Sequence, residues 1–113
     1  MKKLVMIIIV LLFFSSCGTT ALYNWNKYED TSYSYYKKQT PEATEALLKT
    51  YEKMINRPNG TRKVVPPGIY AEYGYLLIQS GKQDEGLEML KKEASTYPES
   101  IIFVERIIKQ LEK

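Results

Sequence analysis

Residues 67–100 read PGIYAEYGYLLIQSGKQDEGLEMLKKEASTYPES, and punctuation alone cuts two helices out of them. Pro66-Pro67-Gly68 opens the first, which places Ile69, Tyr70, Tyr73, Leu76 and Leu77 on one side before Ser80-Gly81 ends it. The second runs from about Gln83 to Tyr97 with Leu87, Leu90, Ala94 and Tyr97 at helical spacing, and Pro98 terminates it. Two amphipathic helices joined by a short glycine-containing link predict a helical hairpin.

Further helices lie on both sides. Toward the carboxyl end, Ser100 to Lys113 sets Ile101, Val104, Ile108 and Leu111 in line, and Phe103 and Ile107 broaden that face. Glu99 near its start and Lys109 and Lys113 near its end suit the helix dipole. Toward the amino end, Thr40 caps a helix from Pro41 to about Arg57, with Ala43, Leu47, Tyr51 and Met54 as its stripe. Pro58-Asn59-Gly60 stops it, and Asn59-Gly60-Thr61, although it fits a glycosylation acceptor pattern, reads as the turn that follows. From Trp25 to Lys38 the chain is rich in tyrosine and polar residues interrupt any stripe, and a helix is expected from Lys27 onward. No stretch alternates as a strand would, and Val64-Val65 is too short to count. The fold class is all-α.

Sliding the chain by about 40 positions pairs Tyr33 with Tyr73, Tyr35 with Tyr75, Glu45 with Glu85, Leu47 with Leu87 and Pro58 with Pro98. Residues 67–100, about 34 in length, resemble a tetratricopeptide repeat. In that register Tyr70 takes the first aromatic position, Gly74 the small one, Leu77 the large one and Pro98 the closing proline. Gly86 stands where alanine is usual, and Glu93 departs from the small residue expected there. Ala46 would fill the small position in the first unit. The resemblance implies tetratricopeptide-like stacked helical hairpins, closed by the last helix.

The amino end begins Met1-Lys2-Lys3, continues uncharged from Leu4 to Phe14 and ends in Ser15-Ser16-Cys17. This is a charged region, an apolar core and a small-residue cleavage site; about 20 apolar residues would be needed to span a bilayer. Ser15-Ser16-Cys17 resembles a bacterial lipobox, with Phe14 in place of the usual leucine. The resemblance implies a signal peptide over 1–16, cleavage between Ser16 and Cys17, and acylation of Cys17 with palmitate-type chains. A lipidated tether and aromatic start (17–26) and a tetratricopeptide-like helical domain (27–113) would follow. Two or more acyl chains anchor stably where one does not. By resemblance to sorted lipoproteins, Gly18 in place of an aspartate implies the outer membrane rather than inner-membrane retention, and the missing acidic cluster after Cys17 implies a protein facing the periplasm.

The chain has 16 Lys and Arg against 13 Asp and Glu, no histidine and one cysteine. Loss of Lys2 and Lys3 with the signal leaves the remainder nearly neutral, without the basic surplus of a nucleic-acid binder, despite Tyr35-Tyr36-Lys37-Lys38 and Arg62-Lys63. A Cys/His metal site has no ligands to draw on, and no dinucleotide, Walker or nucleophile-elbow motif is present. Glu29-Asp30, Asp84-Glu85 and Glu72 are the candidate carboxylates, but neighbours in sequence diverge on a helix. A non-enzyme without cofactor, metal or small-molecule substrate is expected.

Three clusters carry a closer resemblance: Leu22-Tyr23-x-Trp25-x-x-Tyr28-Glu29, Pro66-Pro67-Gly68-x-Tyr70-Ala71-x-x-Gly74 and Tyr97-Pro98-Glu99-Ser100-x-x-Phe103. Together they resemble a family of small outer-membrane lipoproteins classed as domain of unknown function 4810, in which Asn26 replaces a usual glycine. The resemblance implies a place beside a lipoprotein similar to the curli-secretion channel, and so an envelope protein partner. The expected role is a non-catalytic interaction or assembly module. The alternative is glycan or peptidoglycan binding through Tyr23, Trp25, Tyr28, Tyr33, Tyr35 and Tyr36, weighed against simple packing of those rings.

Overall fold

The computed structural model describes residues 1–14 and 21–113, and among them six α-helices and no strand. The expected cleavage and lipidation at Ser16 and Cys17 lie outside the described residues. Helix α1 (Lys2–Phe14) is apolar and exposed from Leu4 to Phe13. At 13 residues it is shorter than a bilayer requires, and no described helix is long and apolar enough to cross a membrane.

Two hairpins and a closing helix follow in chain order, each helix packing on the next. The first hairpin joins α2 (Tyr28–Lys38) to α3 (Pro41–Asn56) through Gln39 and Thr40. Thr40 holds extended backbone, and its Oγ1 accepts the Ala43 N–H at 3.2 Å, while Pro41 occupies the first turn. The predicted stripe of α3, Ala43, Leu47, Tyr51 and Met54, is buried throughout. Helix α2 buries no residue fully; its half-buried Tyr28 and Tyr35 pack against the core that Leu47, Tyr51 and Met54 share with Val65, Ile69 and Leu76.

The second hairpin, α4 (Ile69–Gln79) and α5 (Gln83–Thr96), is the tightest contact in the molecule. A Cβ on Gly74 would stand 2.6 Å from the Gly86 carbonyl oxygen, so the two backbones touch only because both residues are glycine. Helix α4 serves two cores at once, with Ile69 and Leu76 turned to α3 and Ala71 meeting Leu90 of α5 and Val104 of α6. This double duty explains its apolar composition. Burial of Leu47, Met54, Ile69 and Leu90 stabilises by about 1.5–3 kcal/mol each. A 3₁₀ turn (Pro98–Ser100) leads into α6 (Ile101–Leu111), which buries Val104 and half-buries Ile107, Ile108 and Leu111.

The segment before α2 is pinned. Thr61 and Arg62 donate backbone N–H bonds to Ala21 and Leu22 at 3.0 and 3.1 Å, and Asn24 returns one to Asn59 at 3.3 Å. Gly60 sits between them at φ 92°, where a Cβ would meet the Leu22 carbonyl oxygen at 2.7 Å. The Asn59-Gly60-Thr61 turn therefore docks the amino-terminal segment as well as ending α3. Asn26 is at φ 49°, with its N–H donating to the Asn24 Oδ1 at 2.9 Å. Asparagine is among the residues best able to stand in for glycine in that conformation.

Several expectations are corrected. Ala46 is exposed, so it fills no small packing position; Ala43 is the alanine of α3 that is buried. Ile101 and Phe103 are exposed at 42 % and 58 %, because α6 is covered on one side only. The repeat register is also shifted: α2 and α4 are both 11 residues long and begin at Tyr28 and Ile69, one position later than the sliding pattern implies. The tyrosine pairs accordingly mismatch, with Tyr33 exposed against half-buried Tyr73, and Tyr35 half-buried against exposed Tyr75.

Candidate functional site

Where α4, α5 and α6 converge they enclose a groove of about 570 Å³. Tyr75, 47 % exposed, supplies aromatic surface from α4, and Phe103 and Ile107 supply apolar surface from α6. Pro67, Gly68 and Ser100 complete the rim, and Glu93 of α5 belongs to the lining although only 1 % of it is exposed.

A carboxylate removed from water is destabilising unless hydrogen bonds replace its hydration. Two helix starts supply part of that replacement. Gly68, at φ 91°, donates its N–H to Glu93 Oε1 at 2.7 Å, and the Ser100 hydroxyl donates to the same oxygen at 3.4 Å. Both donors sit at the positive ends of helices, where a negative charge is favoured. Oε2 is buried without a hydrogen-bond partner among the described residues. Glu93 thus ties α4, α5 and the entry to α6 together.

A second recess, about 160 Å³, lies on the α2 side of α4 and shares Glu72 and Tyr75 with the first. Glu72 Oε2 accepts the Tyr28 hydroxyl at 2.7 Å and the Tyr51 hydroxyl at 3.0 Å. Burial, reinforced by the Glu72 carboxylate, raises both phenols above the ordinary tyrosine value. The Tyr97 phenol is pushed up to about 12, by burial first and then by the Tyr23 hydroxyl. Tyr97 donates to the Val65 carbonyl at 2.7 Å and so fastens the end of α5 to the loop before α4.

The residues singled out in the sequence fall into separate places. Pro67, Gly68, Ser100 and Phe103 meet at the groove around Glu93. Tyr23, Trp25 and Tyr28 continue through Tyr51 to Tyr73 as a chain of ring contacts with centroids 5.6–6.3 Å apart. Tyr70 and Gly74 belong to the packing, and Pro98 and Glu99 form the exposed turn before Ser100. Glu29, Asp30, Asp84 and Glu85 are exposed at helix starts, and among the described residues no cluster of three or more His, Cys, Asp or Glu could hold a metal. Sequence reasoning did not identify Glu93, Tyr75 or Ile107 as parts of one site. The signal was Glu93 itself, an acid on the stripe with Gly86 and Leu90.

Neither curated proteins nor solved structures yield a match. A family model described as Domain of unknown function (DUF4810) matches residues 22–107, from the pinned segment through Ile107 in the groove. The chain belongs to that family.

Proposed function

We propose that this chain is a lipid-anchored lipoprotein of the bacterial outer membrane, facing the periplasm, and that its tetratricopeptide-like hairpins act as a non-catalytic docking module for an envelope protein. The observation that carries the reading is the groove between α4 and α6. It is apolar, lined by the half-exposed Tyr75 and Phe103, and formed by residues from all three of its neighbouring helices. Apolar surface left in a concave site marks a place where a partner is accommodated.

The anchor half of the proposal rests on the Lys2-Lys3 start, the apolar run and Ser15-Ser16-Cys17. Ala21 is already bound to the Thr61 backbone, and four peptide links, through three intervening residues, separate it from Cys17. At full extension those links span roughly 14 Å, so an acylated Cys17 would hold the domain close to the bilayer surface. Assembly beside a secretion-channel-like lipoprotein belongs to the same proposal.

Crosslinking in cells, followed by purification of the chain, tests the reading. One reproducible envelope protein attached to the wild type, and lost when Tyr75 and Phe103 are both replaced by alanine, is the expected outcome. Recovery of no protein above background contradicts it. A second reading, glycan binding, draws on Trp25, Tyr33 and Tyr36, which are 42 %, 63 % and 69 % exposed. Retention of the chain on purified cell wall, abolished by Tyr33→Ala with Tyr36→Ala, would favour that reading.

A further inference from the structure

The two recesses flanking α4 are one surface, because Glu72 and Tyr75 line both. Along it Tyr36 stands on α2, Tyr75 on α4 and Phe103 on α6, each with about half or more of its surface exposed. The charge on this surface has one sign. Glu72 and Glu93 belong to the lining, and no Lys or Arg lines either recess among the described residues. Glu93 Oε2 is buried and lacks a hydrogen-bond donor among the described residues, although Oε1 of the same carboxylate has two.

We propose that this groove takes an extended segment of a partner protein that carries a Lys or Arg side chain between apolar ones. The proposal rests on the docking reading above and names the chemistry of what docks. A cationic side chain brings the opposite charge to the Glu72 carboxylate and to the field of the buried Glu93. Its alkyl stem lies against Tyr75, whose ring face attracts a cation as well. Apolar neighbours on the segment then meet Phe103 and Ile107 on one side and Tyr36 on the other. An extended segment of about six residues spans roughly 20 Å, long enough to meet several of these side chains in turn.

The test is a titration of the full chain in neutral-detergent micelles, followed by amide chemical shifts. The probes are three blocked peptides that differ only at the centre: Leu-Ala-Arg-Ala-Leu, Leu-Ala-Gln-Ala-Leu and Leu-Ala-Glu-Ala-Leu. With the arginine peptide at about 1 mM, shifts are expected at Gly68, Tyr75, Ser100 and Phe103, with affinity about tenfold above that of the glutamine peptide. Glu72→Gln should remove most of that preference, and Phe103→Ala should weaken all three peptides alike. Equal binding of the arginine and glutamine peptides at the groove overturns the charge assignment while leaving a docking groove in place. Shifts confined to other surfaces, or none with any peptide, overturn the inference entirely. An N-acetylglucosamine oligomer that moves the same signals more strongly than the arginine peptide also overturns it.

Discussion

Glu93 carries more of the account than any other single residue. A carboxylate with 1 % exposure survives in this core because Gly68 and Ser100, at two helix starts, donate to Oε1. Removing it strands the Gly68 N–H and empties a packed position at once. Glu93→Ala is therefore expected to lower stability by about 2–4 kcal/mol, read as a fall in the denaturation midpoint. Glu93→Gln, which keeps an acceptor for Gly68, should lower it by less than half as much. Equal stability of the alanine variant and the wild type would show that the carboxylate does not join the helices. The tyrosines give a residue-scale prediction with a definite sign. Tyr28, Tyr51, Tyr73 and Tyr97 all have folded-state values raised chiefly by burial. An unfolded tyrosine loses its proton near pH 10, before these folded ones do, so the unfolded state binds fewer protons above that pH. Each contribution is whole below about pH 10 and declines as the pH climbs; that of Tyr97 is lost through about 12, and those of Tyr28 and Tyr51, raised further, fade at higher pH still. A thermal midpoint that declines steeply across that window is expected, and Tyr51→Phe should flatten the decline. A midpoint independent of pH between about 10 and 12 would remove the buried-phenol account.

At the scale of elements, the hairpin α4–α5 depends on two glycines in contact. Gly86→Ala adds a methyl group against the Gly74 carbonyl oxygen and the Ile78 side chain. Alanine gains about 1 kcal/mol in helix propensity, but overpacking at such a contact costs about 1–3 kcal/mol. Net destabilisation is expected in urea titration, whereas Gly81→Asn, in a loop at φ 91° with nothing near its Cβ direction, meets backbone strain alone and should cost about 1 kcal/mol. Elements bounded by clear signals were legible in the sequence. Thr40-Pro41 and the Ala43, Leu47, Tyr51, Met54 stripe located α3 to within a residue, and Ser80-Gly81 separated α4 from α5. Local signals did not reveal which apolar faces would find a partner. The Ile101–Phe103 end of α6 has the composition of a packed face, yet it is exposed, with no helix over it among the described residues. Nor could helical periodicity show that Glu93 sits opposite Gly68 and Ser100, because that depends on how three helices meet. Of the groove, the sequence displayed Pro67, Gly68, Ser100 and Phe103 as separate motif residues, and the fold brought them to one place.

Over the whole molecule, a compact run of hairpins follows an amino end with the features of a lipoprotein signal. If Cys17 carries the lipid, Cys17→Ala should move the protein from the membrane to the soluble fraction, as judged by fractionation and immunoblotting. Unchanged membrane association would contradict the anchor and leave the helical domain as described. The domain itself has a polarity that fits a docking role. Lys49 and Lys92 pair with Glu45 and Glu88 on exposed helix surface, whereas the groove combines apolar side chains with unbalanced acids. The central claim is that a partner occupies this groove, and site-specific photocrosslinking in living cells measures that most directly. A photoreactive phenylalanine analogue replaces Tyr75 in one strain and the exposed Glu88 of α5 in another. The account predicts a discrete adduct with another envelope protein at position 75 and little or none at position 88. Equal adducts at both positions, or none at position 75, would contradict it.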